Sequence, residues 1–202
     1  SLGLWTRMVY RFPGAGTDQP LAPGRAVVIA TDAVDHRAVL SDLDDLSSAD
    51  FEFIGPADAD NPSVPNMINV GPSDWSLGHG LFFFSTFAEP YVADNVDVGS
   101  LPVSQPPNNR YKYLRIPRAA VLDVGVFLLD PSFDYGSPLC EPQVSPVFDR
   151  QYARVMPAGD GHQSVQRKVA RTLPDGRRIL LRTKTSSRDF EARSPRTPGW
   201  VP

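Results

Sequence analysis

Cysteine is almost absent from this chain of 202 residues, in which Cys140 is the only one. A single cysteine excludes an internal disulfide, and no CxxC pair exists that could bind zinc or carry redox chemistry. The surrounding residues, Ser-Pro-Leu-Cys-Glu-Pro, include no clear base that would activate a thiol. We therefore interpret Cys140 as a structural residue.

Long apolar runs and catalytic fingerprints are also missing. No apolar run, Leu81 to Phe84 included, approaches the roughly 20 residues that span a bilayer. Histidines 36, 79 and 162 form no HxH or HxxxH pair, and there is no nucleophile elbow, P-loop or dinucleotide fingerprint. The glycines of Pro13-Gly14-Ala15-Gly16 are not followed by the lysine of a phosphate-binding loop. We predict that the chain is not an enzyme and binds no cofactor.

Proline is abundant, with 21 residues against 15 glycines, and this density excludes a helical bundle. The sequence predicts an all-β protein of many short strands, joined by rigid loops and with at most short helices. A helix or 3₁₀ turn is expected only between residues 31 and 50. The predicted core residues are Val27, Ile29, Phe82, Phe84, Val124, Val126 and Val165.

Two proline-rich segments, residues 88–110 and 130–148, lack periodicity and are predicted to be long loops. Loops of this length in a compact domain are usually functional. They contain Tyr91, Phe133 and Tyr135, and the proline-rich tail contains Trp200. Aromatic side chains in loops suit contacts with another protein, although they could equally pack on their own domain. We predict these four residues to be partner-binding.

Charge is distributed unevenly along the chain. Residues 1–100 have a net charge of −10, whereas residues 101–202 have a net charge of +7. Many of the bases lie in a predicted hairpin whose Asp175-Gly176 step favours a type I′ turn. Arg178 and Arg182 are expected on one face of that hairpin and are our remaining partner-binding candidates. Such a hairpin could hold phosphate or an acidic protein surface, although charges that simply face water or the acidic half of the chain are more common. Too few aromatics lie nearby for a platform that binds single-stranded nucleic acid, and the predicted partner is a protein.

Two acidic clusters are candidate calcium ligands, although neither has EF-hand spacing and solvated acidic loops are common. One contains Asp32, Asp35, Asp42, Asp44 and Asp45, and the other contains Asp58, Asp60 and Asn61.

Several segments in order resemble the lamin-tail-like domain, and in particular a bacterial cell-envelope branch that is a family of unknown function. The segments are residues 20–30, 45–52, 61–67, 114–117, 121–126, 164–168, 175–177, 186–190 and 197–199. The most specific are Ser164-Val165-Gln166-Arg167-Lys168 and Ser186-Ser187-Arg188-Asp189-Phe190, which match a Ser-x-Gln-Arg strand and a Ser-x-x-Asp-Phe segment.

The resemblance implies one immunoglobulin-like β-sandwich over residues 1–202, lacking its first strand or N-terminal region, in a protein outside the cytoplasm. It assigns no activity. We expect an accessory module that docks onto a larger assembly, such as a membrane complex, with no transmembrane segment of its own. The alternative is a domain that binds a ligand in a calcium- or carbohydrate-dependent way.

Overall fold

A computed structural model describes residues 3–41, 43–53, 60–72, 86–92, 96–105, 107, 111–128, 145–154 and 164–193. The chain divides into two compact units. Unit 1 comprises residues 1–81 and 94–118, and unit 2 comprises residues 82–93 and 119–202. The prediction of one domain stays a prediction, and the two units are described separately below.

The described residues form short strands and little helix, which confirms the all-β prediction. The strands are β1 (Gly3–Thr6), β2 (Tyr10–Arg11), β3 (Ile29–Ala30), β4 (Phe51–Glu52), β5 (Ile68–Asn69), β6 (Thr86–Val92), β7 (Val103–Ser104), β8 (Tyr113–Pro117), β9 (Val121–Leu128), β10 (Ala153–Arg154), β11 (Ser164–Arg167), β12 (Val169–Thr172), β13 (Arg178–Leu180) and β14 (Phe190–Arg193). The helical elements are α1 (Ser186–Asp189) and the 3₁₀ turns His36–Ala38, Val98–Ser100 and Arg118–Ala120. The first of these turns lies where the sequence predicted one.

In unit 1, β8 is the central strand of a three-stranded sheet with order β1-β8-β7. Leu4 pairs with Ile116 across the antiparallel β1–β8 ladder, and both side chains are buried. Leu114, two residues before Ile116, is also buried, because alternate residues of a strand point to the same face. Two further pairs complete the described sheets of this unit: β2 with β5, antiparallel, and β3 with β4, parallel.

The prediction of a buried strand over residues 25–30 is wrong for most of its length. Only Ile29 and Ala30 form a strand, and Val27 and Ile29 each leave 36% of their surface exposed. The buried residue is Ala30, which packs with three small apolar neighbours. Strand β3 pairs with β4 alone among the described strands, so its other apolar side chains remain accessible.

In unit 2, β9 lies between β6, which runs antiparallel to it, and β10, which runs parallel. Val124 and Val126 of β9 are buried, as predicted. Val165 in β11 is only half-buried, and Phe82 and Phe84 lie outside the described residues. The remaining strands pair as β11 with β14 and β12 with β13, both antiparallel.

The predicted loop over residues 88–110 is wrong in part. Residues 88–92 belong to β6, and Val103–Ser104 forms β7 against β8. Pro90 is compatible with β6 because β6 is an outer strand of its described sheet, where a missing N–H is tolerated. Of the second predicted loop, only residues 145–148 are described, and 146–148 form a turn.

Candidate functional site

The most exposed basic element in the described structure is a hairpin formed by β12, β13 and the turn between them. We call residues 168–184 the basic hairpin. All four residues of β12 are exposed, as are Arg178 and Ile179 of β13. Because neighbouring strand residues point to opposite faces, both faces of the ribbon are accessible to a partner.

The turn of the basic hairpin differs from the predicted type. The φ of Gly176 is +85°, which confirms the expected sign. Asp175 does not have a positive φ, however, so the turn is not type I′. The Gly176 N–H donates to Leu173 O at 3.0 Å, and the Leu173 N–H donates to Arg177 O at 2.7 Å. These two bonds define a type I turn followed by a glycine in the left-handed region. Pro174 explains the difference, because its ring fixes a negative φ.

The basic hairpin contains six Lys and Arg residues and one acid, Asp175. Asp175 pairs with Arg177, with Oδ2 2.7 Å from Nε, and both side chains are half exposed. The backbone N–H and then the guanidinium of Arg177 lower the pKa of the Asp175 carboxyl. The only acid of the hairpin is thus engaged within the turn, and the strands present cations next to the exposed apolar Val169 and Ile179.

The two predicted arginines occupy different positions. Arg178 lies in β13 and is exposed, as expected. Arg182 lies beyond the end of β13, with Nε 3.5 Å from Oδ1 of Asp123 in β9. Arg182 therefore contacts the sheet at the base of the hairpin, and sequence reasoning missed this because Asp123 is distant in the chain.

Arg167, which immediately precedes the basic hairpin, fixes its base. Its side chain is 10% exposed and lies 2.7 Å from Asp123 Oδ2 and 3.5 Å from Asp189 Oδ2. It also donates to Leu181 O at 3.0 Å. Asp189 in turn accepts three hydrogen bonds from Thr183, two from its backbone N–H and one from its hydroxyl. These bonds hold both ends of the hairpin on strands β9, β11 and helix α1.

Helix α1 is held by a buried polar chain that the sequence did not reveal. Asp149 Oδ1 accepts from the Ser186 N–H at 2.8 Å, and Ser186 Oγ accepts from the Val126 N–H at 3.0 Å. Ser186 and Asp149 are both buried. The Ser-x-x-Asp-Phe segment is therefore structural in this fold, and its serine and aspartate fix α1 rather than facing a ligand.

Of the four aromatic residues predicted to contact a partner, only Tyr91 lies among the described residues. Tyr91 lies in β6 rather than in a loop, opposite Asp123 in the β6–β9 ladder. The other three, Phe133, Tyr135 and Trp200, lie outside the described residues, as does Cys140.

Two carboxylates of the first acidic cluster pair with an arginine that lies within it. Arg37 lies 2.7 Å from Asp35 and 2.6 Å from Asp45, so one guanidinium bridges two of the candidate calcium ligands. Hydrogen bonds to Arg37 lower the pKa of Asp35, and hydrogen bonds to Ser47 lower the pKa of Asp45. Asp42 lies outside the described residues.

The second acidic cluster also has protein partners. Asp60 accepts from Asn66 Nδ2 at 2.9 Å, and Asn61 Nδ2 donates to Ala33 O at 2.8 Å; Asp58 is not described.

His36 Nε2 lies 3.2 Å from Asp32 O, and His79 and His162 are outside the described ranges. Within the part of the chain that the structure describes, no group of three or more His, Cys, Asp or Glu side chains could hold a metal.

No helix among the described residues has the length and apolar content needed to cross a membrane.

Comparison with known proteins identifies a solved structure with a similar fold. A crystal structure of a DUF4876 family protein from Bacteroides thetaiotaomicron VPI-5482 matches this chain with a TM-score of 0.69 and 23% sequence identity. The match covers 98% of this chain and 58% of that chain, so the chain spans a little over half the length of the protein it resembles. No curated protein shows significant sequence similarity. The model of the family described as protein of unknown function (DUF4876) matches residues 22–197, and the chain therefore belongs to that family.

Proposed function

We propose that this chain is a non-catalytic interaction module that docks through the basic hairpin onto an acidic surface of a larger assembly. The observation that carries the proposal is that all four residues of β12 are exposed, together with cations and exposed apolar side chains on a ribbon anchored at its base. A cationic surface that includes apolar side chains suits a protein partner, since charge steers association and apolar area adds affinity.

The positions of the basic residues favour docking over pairing of all their charges with acids of the same chain. Arg182 and Arg167 contact Asp123 at the base, whereas Arg171 lies exposed in the middle of β12. The rigid base matters because a preorganised surface loses less conformational entropy on binding. The predicted partner contacts of Phe133, Tyr135 and Trp200 stay a prediction beside this proposal, since these residues lie outside the described ranges.

The proposal also includes an immunoglobulin-like sandwich fold and a location outside the cytoplasm. The lamin-tail-like resemblance supports an immunoglobulin-like sandwich, since the Ser-x-Gln-Arg strand β11 and the Asp-Phe segment lie side by side as β11 pairs with β14. The same resemblance supports a location outside the cytoplasm, in the bacterial envelope. Protease treatment of intact and permeabilised cells tests the location: digestion only after the inner membrane is permeabilised would contradict it.

The docking experiment compares two variants of equal charge. Arg171→Glu/Arg178→Glu reverses charge on the basic hairpin, while Arg150→Glu/Arg188→Glu makes the same change at exposed positions elsewhere in unit 2. Each tagged protein is used to purify partners from a solubilised envelope fraction of a bacterium that encodes it. We expect a stoichiometric partner with the wild type and the control variant, lost from the hairpin variant and eluted by moderate salt.

Equal retention of the partner by both variants would contradict docking through the hairpin. The absence of any stoichiometric partner would contradict the interaction function itself. Circular dichroism and thermal unfolding of both variants establish that lost binding does not reflect lost folding.

A further inference from the structure

Unit 2 contains a cleft of about 420 Å³ beside strands β10 and β14, separate from the basic hairpin. Its polar lining comes from Gln151, Tyr152, Ser187 and Glu191, and its apolar lining comes from Phe190 and two alanines. The volume falls within the range of small-ligand sites in proteins.

The polar groups of the cleft are held in position. Ser187 Oγ donates to Gln151 Oε1 at 3.1 Å, and the Ser187 N–H donates to Gln151 O at 3.0 Å. The first bond fixes the amide plane of Gln151, and no described residue accepts from its Nε2. Arg193 donates to Glu191 Oε1 at 2.9 Å from Nε, which orients that carboxylate.

The aromatic part of the cleft is equally fixed. The ring of Phe190 meets Phe127 edge-on, with centroids 4.6 Å apart, and the guanidinium of Arg167 lies 4.1 Å from its centroid. Tyr152 adds a second ring to the lining. Aromatic rings carry a negative face, which attracts the weakly positive C–H groups of a sugar ring.

The chemistry of the lining selects among ligand classes. Amide, hydroxyl, phenol and carboxylate groups together donate and accept hydrogen bonds, as the hydroxyls of a sugar require. Among the described residues, no lysine or arginine lines the cleft, and the one carboxylate, Glu191, is paired with Arg193, so the described lining offers an anionic ligand no counter-charge. The lining is too polar for a purely apolar ligand, because burying unpaired polar groups is unfavourable.

We propose that this cleft binds a neutral saccharide, with its ring against Tyr152 and its hydroxyls bonded to Gln151 and Glu191. The site acts independently of the basic hairpin, and both can be present in one module. Shallow sites of this kind bind with millimolar dissociation constants, because only a few hydrogen bonds and one ring face contribute.

The test uses cellobiose, maltose and N,N′-diacetylchitobiose at millimolar concentration, with binding followed by saturation-transfer NMR and calorimetry. We expect at least one of them to bind the wild-type chain. Gln151→Ala should weaken that binding roughly tenfold, because it removes hydrogen bonds that only a hydroxylated ligand uses. Gln19→Ala, an exposed glutamine of unit 1, is the matched control and should bind like the wild type.

Each other outcome overturns the proposal. Binding of none of the three sugars would do so, as would binding that Gln151→Ala and Glu191→Gln both leave unchanged. Preferential binding of glucose 6-phosphate over glucose would show an anion site instead. The hairpin variant Arg171→Glu/Arg178→Glu should retain sugar binding, so failure of this proposal is distinguishable from failure of the docking function.

Discussion

The guanidinium of Arg167 lies over the ring of Phe190, with Cζ 4.1 Å from the ring centroid. The two residues are also directly opposite each other in the β11–β14 ladder. A cation over an aromatic face is attracted by the ring quadrupole, and the same cation lies 2.7 Å from Asp123. Arg167 therefore joins β9, β11 and β14, and the two motifs recognised separately in the sequence form one packed cluster.

Replacing Asp189 by alanine should strongly destabilise the chain. Its side chain is 3% exposed and accepts three hydrogen bonds from Thr183 while facing Arg167. Removing one partner of a buried charged network costs about 3 kcal/mol or more of unfolding free energy. Urea unfolding measures the loss. Asp175→Ala, which breaks a half-exposed ion pair, should leave the unfolding curve nearly unchanged, and similar curves for the two variants would contradict the assignment.

Gly176→Ala should destabilise the hairpin by about 1 kcal/mol, because an alanine at φ +85° is strained. Gly16→Ala is the matched control, since an added Cβ meets nothing within 4 Å at either position and only Gly176 has a positive φ. Thermal unfolding of both variants separates backbone strain from packing. Equal melting temperatures would show that the turn relaxes without cost.

Tyr10 should ionise later than an ordinary tyrosine. Burial raises the pKa of Tyr10 to about 12, against a smaller opposing effect of Arg7. Between about pH 10 and about pH 12 the unfolded chain loses this proton while the folded chain retains it, so the unfolding free energy falls as pH rises. Phenolate absorbance during an alkaline titration measures the pKa, and Tyr10→Phe should remove the late step. A titration with no late step in the wild type would contradict the burial.

Calcium chelation should leave the melting temperature unchanged. Arg37 already bridges Asp35 and Asp45, so a cation would have to displace its guanidinium to bind these two carboxylates. Differential scanning fluorimetry with and without chelator tests this. A melting temperature that falls with chelator, and no longer falls in Asp42→Asn, would restore the acidic loop as a calcium site.

The fold was predictable where strand pattern and burial agree. Val124 and Val126 alternate along β9 and are buried because a sheet face covers them. The same reasoning failed for Val27 and Ile29, since an apolar run does not reveal how many strands pair with it. It also failed at Tyr91, where the loss of periodicity suggested a loop but the long-range ladder with β9 determines the backbone.

The candidate site was predictable only in outline. A cluster of cations around an Asp-Gly step indicated a basic hairpin, and β12 and β13 confirm the hairpin itself. The contact of Arg182 with Asp123 was not predictable, because it depends on which strand lies beneath the hairpin base. The cleft had no sequence signal at all, since Gln151 and Ser187 lie far apart and meet only through folding.

The pairing of β1 with β8 has a consequence for how the chain is made. Leu4 finds its partner Ile116 only after more than a hundred further residues have been synthesised. Closing so long a segment is entropically unfavourable, and such non-local pairings form slowly. The earliest described strand therefore lacks its partner until β8 has been synthesised, and until then its apolar side chains are exposed to other nascent chains and to chaperones.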